Sequence, residues 1–195
     1  MEVDKRIETR ISASEKYVPI IMDALVDTTD DFSPRAQYIY MSHGKIQSIS
    51  WKNIGNKLNL FNALSVIWGT YTLASLSTAS VEAGITLLFL LKDMFELSTL
   101  EIQNQDAIVL YYAKKTGAAN CWIDESCVFN QIELERKAFS GNAEIKEILF
   151  SITQEMVTDS ITRLTKIKVL DEIGGKIKIC ESISPSALKD LPLKQ

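Results

Sequence analysis

Residues 151–182 read SITQEMVTDSITRLTKIKVLDEIGGKIKICES, and the way this stretch changes period decides the fold. Val157, Ile161, Leu164 and Ile167 recur at spacings of four, three and three, which places them on one face of a helix. Thr153 is positioned to cap that helix, while Glu155 and Asp159 suit its positive N-terminal end. The chain then turns into VLDEI and KIKICE around Gly174-Gly175, the pair of residues that most easily supplies two positive-φ positions in a two-residue hairpin turn. In that register Ile173 faces Lys176, Asp171 faces Lys178 and Leu170 faces Ile179. Leu170, Ile177 and Ile179 then share one face, and Asp171, Lys176 and Lys178 the other. The cross-strand charge pair adds roughly a few tenths of a kcal/mol at best.

Working upstream, AEIKEILFSI (143–152) is a second helical pattern, with Ile145, Ile148 and Leu149 apolar and Asn142 available as its cap. Ser140-Gly141-Asn142 separates it from ESCVFNQIELERKAF (125–139), capped by Asp124 or Ser126, with Val128, Ile132 and Phe139 on one side. ANCWID (119–124) is a short strand candidate. A polar break around Gln103–Asp106 opens DAIVLYYAKKTG, whose Lys114-Lys115 and Gly117 mark a helix end. Pro192 and Pro185 punctuate a tail, 184–195, expected to be exposed or loosely docked.

The first hundred residues are of a different character. Pro19 argues against a long helix, leaving a strand or short helix at 17–26. QYIYMSHGKIQSISW suggests a β-hairpin turning at His43-Gly44. From Leu58 to Leu91 the chain carries a single charge, Glu82, diluted by many Ser and Thr residues. A carboxylate at mid-bilayer costs roughly 2.5–3.5 kcal/mol, so a buried helical pair is expected here and a membrane span is not. Gly69, Gly84 and the serines would allow close helix approach, and Ser77–Ser80 would hold the bend or cap the second helix. Such a pair also suits self-association through 58–97. The expected organisation is an N-terminal region over 1–100, a second domain over 101–183, and the tail. The fold class is α+β, mainly helical.

The 195 residues are 46% hydrophobic and 24% charged, with a net charge of −4, which is ordinary for a globular protein and does not favour polyanion binding overall. The opening MEVDKRIETR has no apolar run behind it, which excludes an ordinary secretory signal. Cys121, Cys127 and Cys180 form no disulfide framework and fit a reducing cytoplasm. Cys121 and Cys127 are too widely spaced for a zinc knuckle. His43 is the lone histidine, the glycines are scattered, and no residue set assembles a nucleophile, a phosphate loop or a metal shell. Neither an enzyme, a cofactor nor a metal is expected.

The EIKEIL, VTDSITRLTKIKVL and DEIGGKIKI runs, in the order helix, turn, helix, hairpin, resemble the winged helix-turn-helix superfamily over about residues 143–181. Taking 106–117 as a first helix and 120–124 as a small strand extends the likeness upstream, with 125–139 an extra helix. The resemblance implies a cytoplasmic DNA-binding transcriptional regulator acting as a dimer, whose second helix enters the major groove and whose wing touches phosphates. On that basis Thr158, Thr162, Arg163 and Lys166 would contact DNA from the helix, and Lys176 and Lys178 from the wing. Arg163 and Lys166 would project from the side opposite Val157, Ile161 and Leu164. Residues 151–182 nevertheless carry five basic and five acidic side chains. That balance favours an alternative, a non-enzymatic interaction module (an immunity or complex-assembly protein) that uses the same shape on a protein partner.

Overall fold

The computed structural model describes residues 16–25, 38–42, 45–49, 58–69, 76–95, 97 and 99–183. The tail and the His43-Gly44 turn lie outside them. Among the described residues the architecture is mainly helical, with three small antiparallel sheets. Helix α1 spans Val18–Leu25, so of the two forms expected for this segment the structure shows the short helix. Pro19 sits in its first turn, where a missing N–H costs nothing. Strands β1 (Tyr38–Ser42) and β2 (Lys45–Ile49) pair antiparallel from Tyr38↔Ile49 to Ser42↔Lys45, where the sequence suggests a hairpin without fixing its register.

The apolar 58–91 stretch contains β3 (Leu58–Asn59), α2 (Leu60–Trp68) and most of α3 (Thr78–Met94), which runs on three residues past Leu91. Asn59 caps α2 by accepting the Asn62 N–H at 3.0 Å, and Ser77 caps α3 by accepting the Ser80 N–H at 3.3 Å. Gly69 closes α2 at φ 68°. Gly84 does mark a close approach: a Cβ there would lie 3.1 Å from Ala107 Cβ and 3.2 Å from Trp68 Cζ2. Trp68 then donates from its indole to Ser80 O at 3.3 Å and meets Tyr111 edge-on. The two helices are buried on their inner faces, through Leu60, Ala63 and Leu64 in α2 and Leu87, Leu88 and Leu91 in α3. Glu82 points outward to solvent, within 3.5 Å of the Tyr17 hydroxyl, which spares a carboxylate from burial. Among the described residues no helix is long and apolar enough to cross a membrane.

Helix α4 (Asn104–Lys115) is the hub. Ile108, Val109, Leu110 and Tyr112 are all buried, because the helix packs on α3 on one side and on α7 on the other. It ends at Thr116, and Gly117 follows at φ 99°, as the sequence suggested. The chain continues through β4 (Ile123–Asp124), α5 (Glu125–Ala138), α6 (Ala143–Ser151), α7 (Gln154–Lys166), β5 (Leu170–Ile173), β6 (Lys176–Ile179) and β7 (Ser182–Ile183). One sheet has the order β4-β6-β5, and β7 returns to pair with β3, Leu58 opposite Ile183. A single apolar cluster runs from Ile21 to Ile183, so the segments before and after residue 100 share a core.

Candidate nucleic-acid interface

Helices α6 and α7 are joined by two residues only, and each residue has a task. Ile152 is buried as an apolar plug, while Thr153 caps α7 by accepting the Met156 N–H at 3.2 Å. Asn142 caps α6 in the same manner, accepting from Glu144 N at 2.7 Å. The C-terminal carbonyls of α6 are satisfied from another element. Arg136, in the last turn of α5, donates to Leu149 O at 2.9 Å and to Ile152 O, and pairs with Glu133. Arg136 therefore fixes the turn between α6 and α7 by filling acceptors that a helix end leaves open. No local pattern in ELERKAF points to this role.

On α7 the stripe Val157, Ile161, Leu164 is buried as expected, with Ile167 continuing it and Ser160 completing the inner face. Gln154, Glu155, Thr158, Asp159, Thr162 and Lys166 are exposed. Arg163 does not project with them. Its side chain is only 16% exposed and turns toward α4, where Nε and Nη2 donate to Asp106 Oδ1 at 3.0 and 2.7 Å. Nε also reaches Oδ2 at 3.1 Å, and Nη2 lies 3.0 Å from Ser160 Oγ. Asp106 has no accessible surface and also accepts the Gln103 N–H at 2.8 Å, so one carboxylate both opens α4 and holds α7. The expectation that Arg163 stands opposite the apolar stripe is thus corrected. A fully buried carboxylate needs a charged, forked partner, and Arg163 is within reach of it.

The two exposed threonines make their hydrogen bonds within the helix. Thr158 donates to Gln154 O at 3.4 Å and Thr162 to Thr158 O at 3.0 Å. Their hydroxyl protons are turned into the helix, and their lone pairs face outward.

After α7 the chain passes through Lys168 at φ 59°, with Val169 N donating to Leu164 O at 2.9 Å to close the helix. The hairpin has the register read from the sequence: Leu170↔Ile179, Asp171↔Lys178, Glu172↔Ile177 and Ile173↔Lys176. Gly174 and Gly175 have φ of 58° and 74°, the two positive values that a tight turn demands. Leu170, Ile177 and Ile179 are buried; Lys176 is exposed, Lys178 is half-buried and Ile173 is 68% exposed. The hairpin is anchored by β4, by Glu125 N donating to Gly175 O at 3.1 Å, and by Ile179 N donating to Ala118 O at 2.8 Å. Beside it the Cys180 thiol is pushed up to about 12 by burial, reinforced by the charge of Asp171.

The structure thus brings Thr158, Thr162 and Lys166 to the outer face of α7 and sets Lys176 and Lys178 on the adjoining hairpin. It withdraws Arg163 and leaves Glu155 and Asp159 exposed on the same helix. Among the described residues no group of three or more His, Cys, Asp or Glu side chains gathers in a way that would hold a metal ion. Comparisons of the chain with family models, with curated proteins and with solved structures find no match.

Proposed function

We propose that residues 104–179 form a winged-helix module that binds DNA, with α7 as the groove-facing helix and the β5–β6 hairpin as the wing. The observation that carries this reading is the sheet order β4-β6-β5 behind an exposed α7, with α4 ahead of β4. That is the order of helix, strand, helices and hairpin in a winged helix, with α5 inserted. Lys166 and Lys168 at the end of α7, and Lys176 and Lys178 on the wing, are the phosphate-binding groups in this reading. Thr158 and Thr162 offer acceptors to base-edge amino groups. Arg163 belongs to the scaffold. A transcriptional regulator of this kind works as a dimer, and self-association through the apolar 58–97 region would present two α7 helices to two half-sites.

Four lysines set a limit on the electrostatics. Neutralising at most four phosphates gives a slope of log K against log salt no steeper than about −3.6. The test is selection from a genomic DNA pool at about 50 and 200 mM salt. An enriched sequence is expected at the lower salt. Lys176→Ala or Lys178→Ala should then weaken all DNA alike and flatten the slope by about one. Absence of enrichment at both salts refutes the reading.

A second reading is favoured by Glu155 and Asp159 on the face of α7 and by Ile173 on the wing. Acidic groups repel phosphates, and an exposed isoleucine suits a protein surface. In that case the module binds a protein partner, and affinity capture with Ile173→Asp as control would recover one partner that the variant loses.

A further inference from the structure

We propose that Asp106 is a positioning residue for α7: acting through Arg163, it sets the rotation of that helix about its axis and so decides which side chains the helix turns outward. The inner stripe of α7, Val157, Ile161 and Leu164, is apolar, and apolar contact is non-directional. Such a stripe tolerates a modest rotation against the equally apolar side of α4. A guanidinium fork on a carboxylate tolerates none without losing its paired geometry. Both oxygens of Asp106 accept from Arg163, at 3.0 and 2.7 Å on Oδ1 and 3.1 Å on Oδ2.

The anchor itself cannot drift. Asp106 is fully buried in the first turn of α4 and is tied to Gln103 N at 2.8 Å. Ser160, one turn before Arg163 and also fully buried, takes a further guanidinium hydrogen at 3.0 Å. The two ends of α7 are held separately, by Arg136 on the preceding turn and by the β5–β6 hairpin after it. The Asp106–Arg163 contact acts on the last turn of the helix, and through Ser160 on the turn before it. Replacing a buried ion pair by apolar side chains is often neutral for stability, and the best-attested use of such pairs is to specify registry. Stability and positioning should consequently separate in this protein. The inference rests on the packing of α7, and on the DNA reading only for why its rotation matters.

The test uses the full chain carrying Asp106→Leu together with Arg163→Met, compared with the unaltered protein by thermal unfolding, methyl NMR of Ile161 and Leu164, and amide exchange along α7. The double variant should melt close to the unaltered protein. Its Ile161 and Leu164 methyls should split into more than one set of resonances, and α7 amides should exchange about tenfold faster or more. A single set at unaltered shifts, with unaltered exchange, overturns the proposal. Arg163→Lys covers the case in which the double variant fails to fold, since it keeps the charge and loses the fork. The same acceleration of exchange is expected there, and unaltered exchange in Arg163→Lys equally overturns the proposal. These readouts involve no DNA, so a failure of DNA binding appears in the unaltered protein and a failure of positioning only in the variants.

Discussion

Replacing Arg163 by alanine would remove the partner of the one fully buried carboxylate among the described residues. Asp106 has 0% exposure and receives three hydrogen-bonding contacts from the guanidinium. Breaking a buried pair from one side costs about 3–5 kcal/mol, because the remaining charge is left without compensation. Asp106 would keep the Gln103 N–H and the N-terminal end of α4, which places the cost near the lower limit, at about 3 kcal/mol. In a chain of this length 1 kcal/mol moves the melting temperature by about 2–4 °C, so a fall of about 6–12 °C is expected. Urea unfolding at neutral pH measures the loss directly, with Lys166→Ala as control: Lys166 is exposed, and its removal should change stability by less than about 0.5 kcal/mol. If Arg163→Ala lies within about 1 kcal/mol of the unaltered protein, the pair does not carry the burial argued for it. The same variant bears on recognition. Any DNA affinity it loses should follow the folded fraction, not a missing guanine contact.

Valine at Gly174 or Gly175 should cost about 1–2 kcal/mol each, seen in urea unfolding together with loss of Leu170–Ile179 cross-strand NOEs. The space around both Cβ positions is open, so the penalty is one of backbone conformation; a neutral result would mean that the turn does not need positive φ. Gly84→Val must part α3 from α4 or displace Trp68, and should destabilise by about 1–3 kcal/mol with a change in tryptophan fluorescence. An unchanged unfolding midpoint would contradict the close approach. Arg136→Ala leaves the Leu149 and Ile152 carbonyls open and should cost about 1–3 kcal/mol, with faster amide exchange at the end of α6 as the local signature. With its thiol held near 12, Cys180 is about one part in ten thousand thiolate at pH 8, so alkylation followed by peptide mapping should label exposed Cys121 and Cys127 first. Because the folded-state value is raised from 9.0, the stability linked to this thiol is whole below pH 9 and is lost as the pH rises toward 12.

The features legible in the sequence are those governed by neighbours within one or two turns. The stripe of α7, the caps Thr153, Asn142 and Ser77, the Gly117 stop and the hairpin register all follow from periodicity and from the limits of φ, and each matches the structure. The exposure of Thr158, Thr162 and Lys166 follows from the same wheel that buries Val157, Ile161 and Leu164, and that of Lys176 from the alternation along β6. Arg163 is where that reasoning stops. It lies at the edge of the stripe, where a long side chain can turn outward to water or inward beneath its neighbours. Only a buried acceptor decides between the two, and that acceptor, Asp106, stands 57 residues earlier.

Arg136 and Gly84 belong with Arg163. Arg136 looks like a solvated charge in a charged helix end, yet it closes α6 across a gap of 13 residues to Leu149. Gly84 looks like a diluted position in an apolar run, yet Ala107 and Trp68 close around it. By itself the sequence determined the helices that follow residue 100 and their caps, the apolar stripe of α7, and how the β5–β6 hairpin pairs, whereas 17–26 stood open between strand and short helix. Tertiary structure alone decided how α7 is held on α4, how the turn before it is locked by α5, and how β7 returns to β3. The physical reason is range: propensity, capping and turn geometry act between neighbours in the chain, whereas the partner of a buried charge or the fit around a glycine exists only once distant segments have packed.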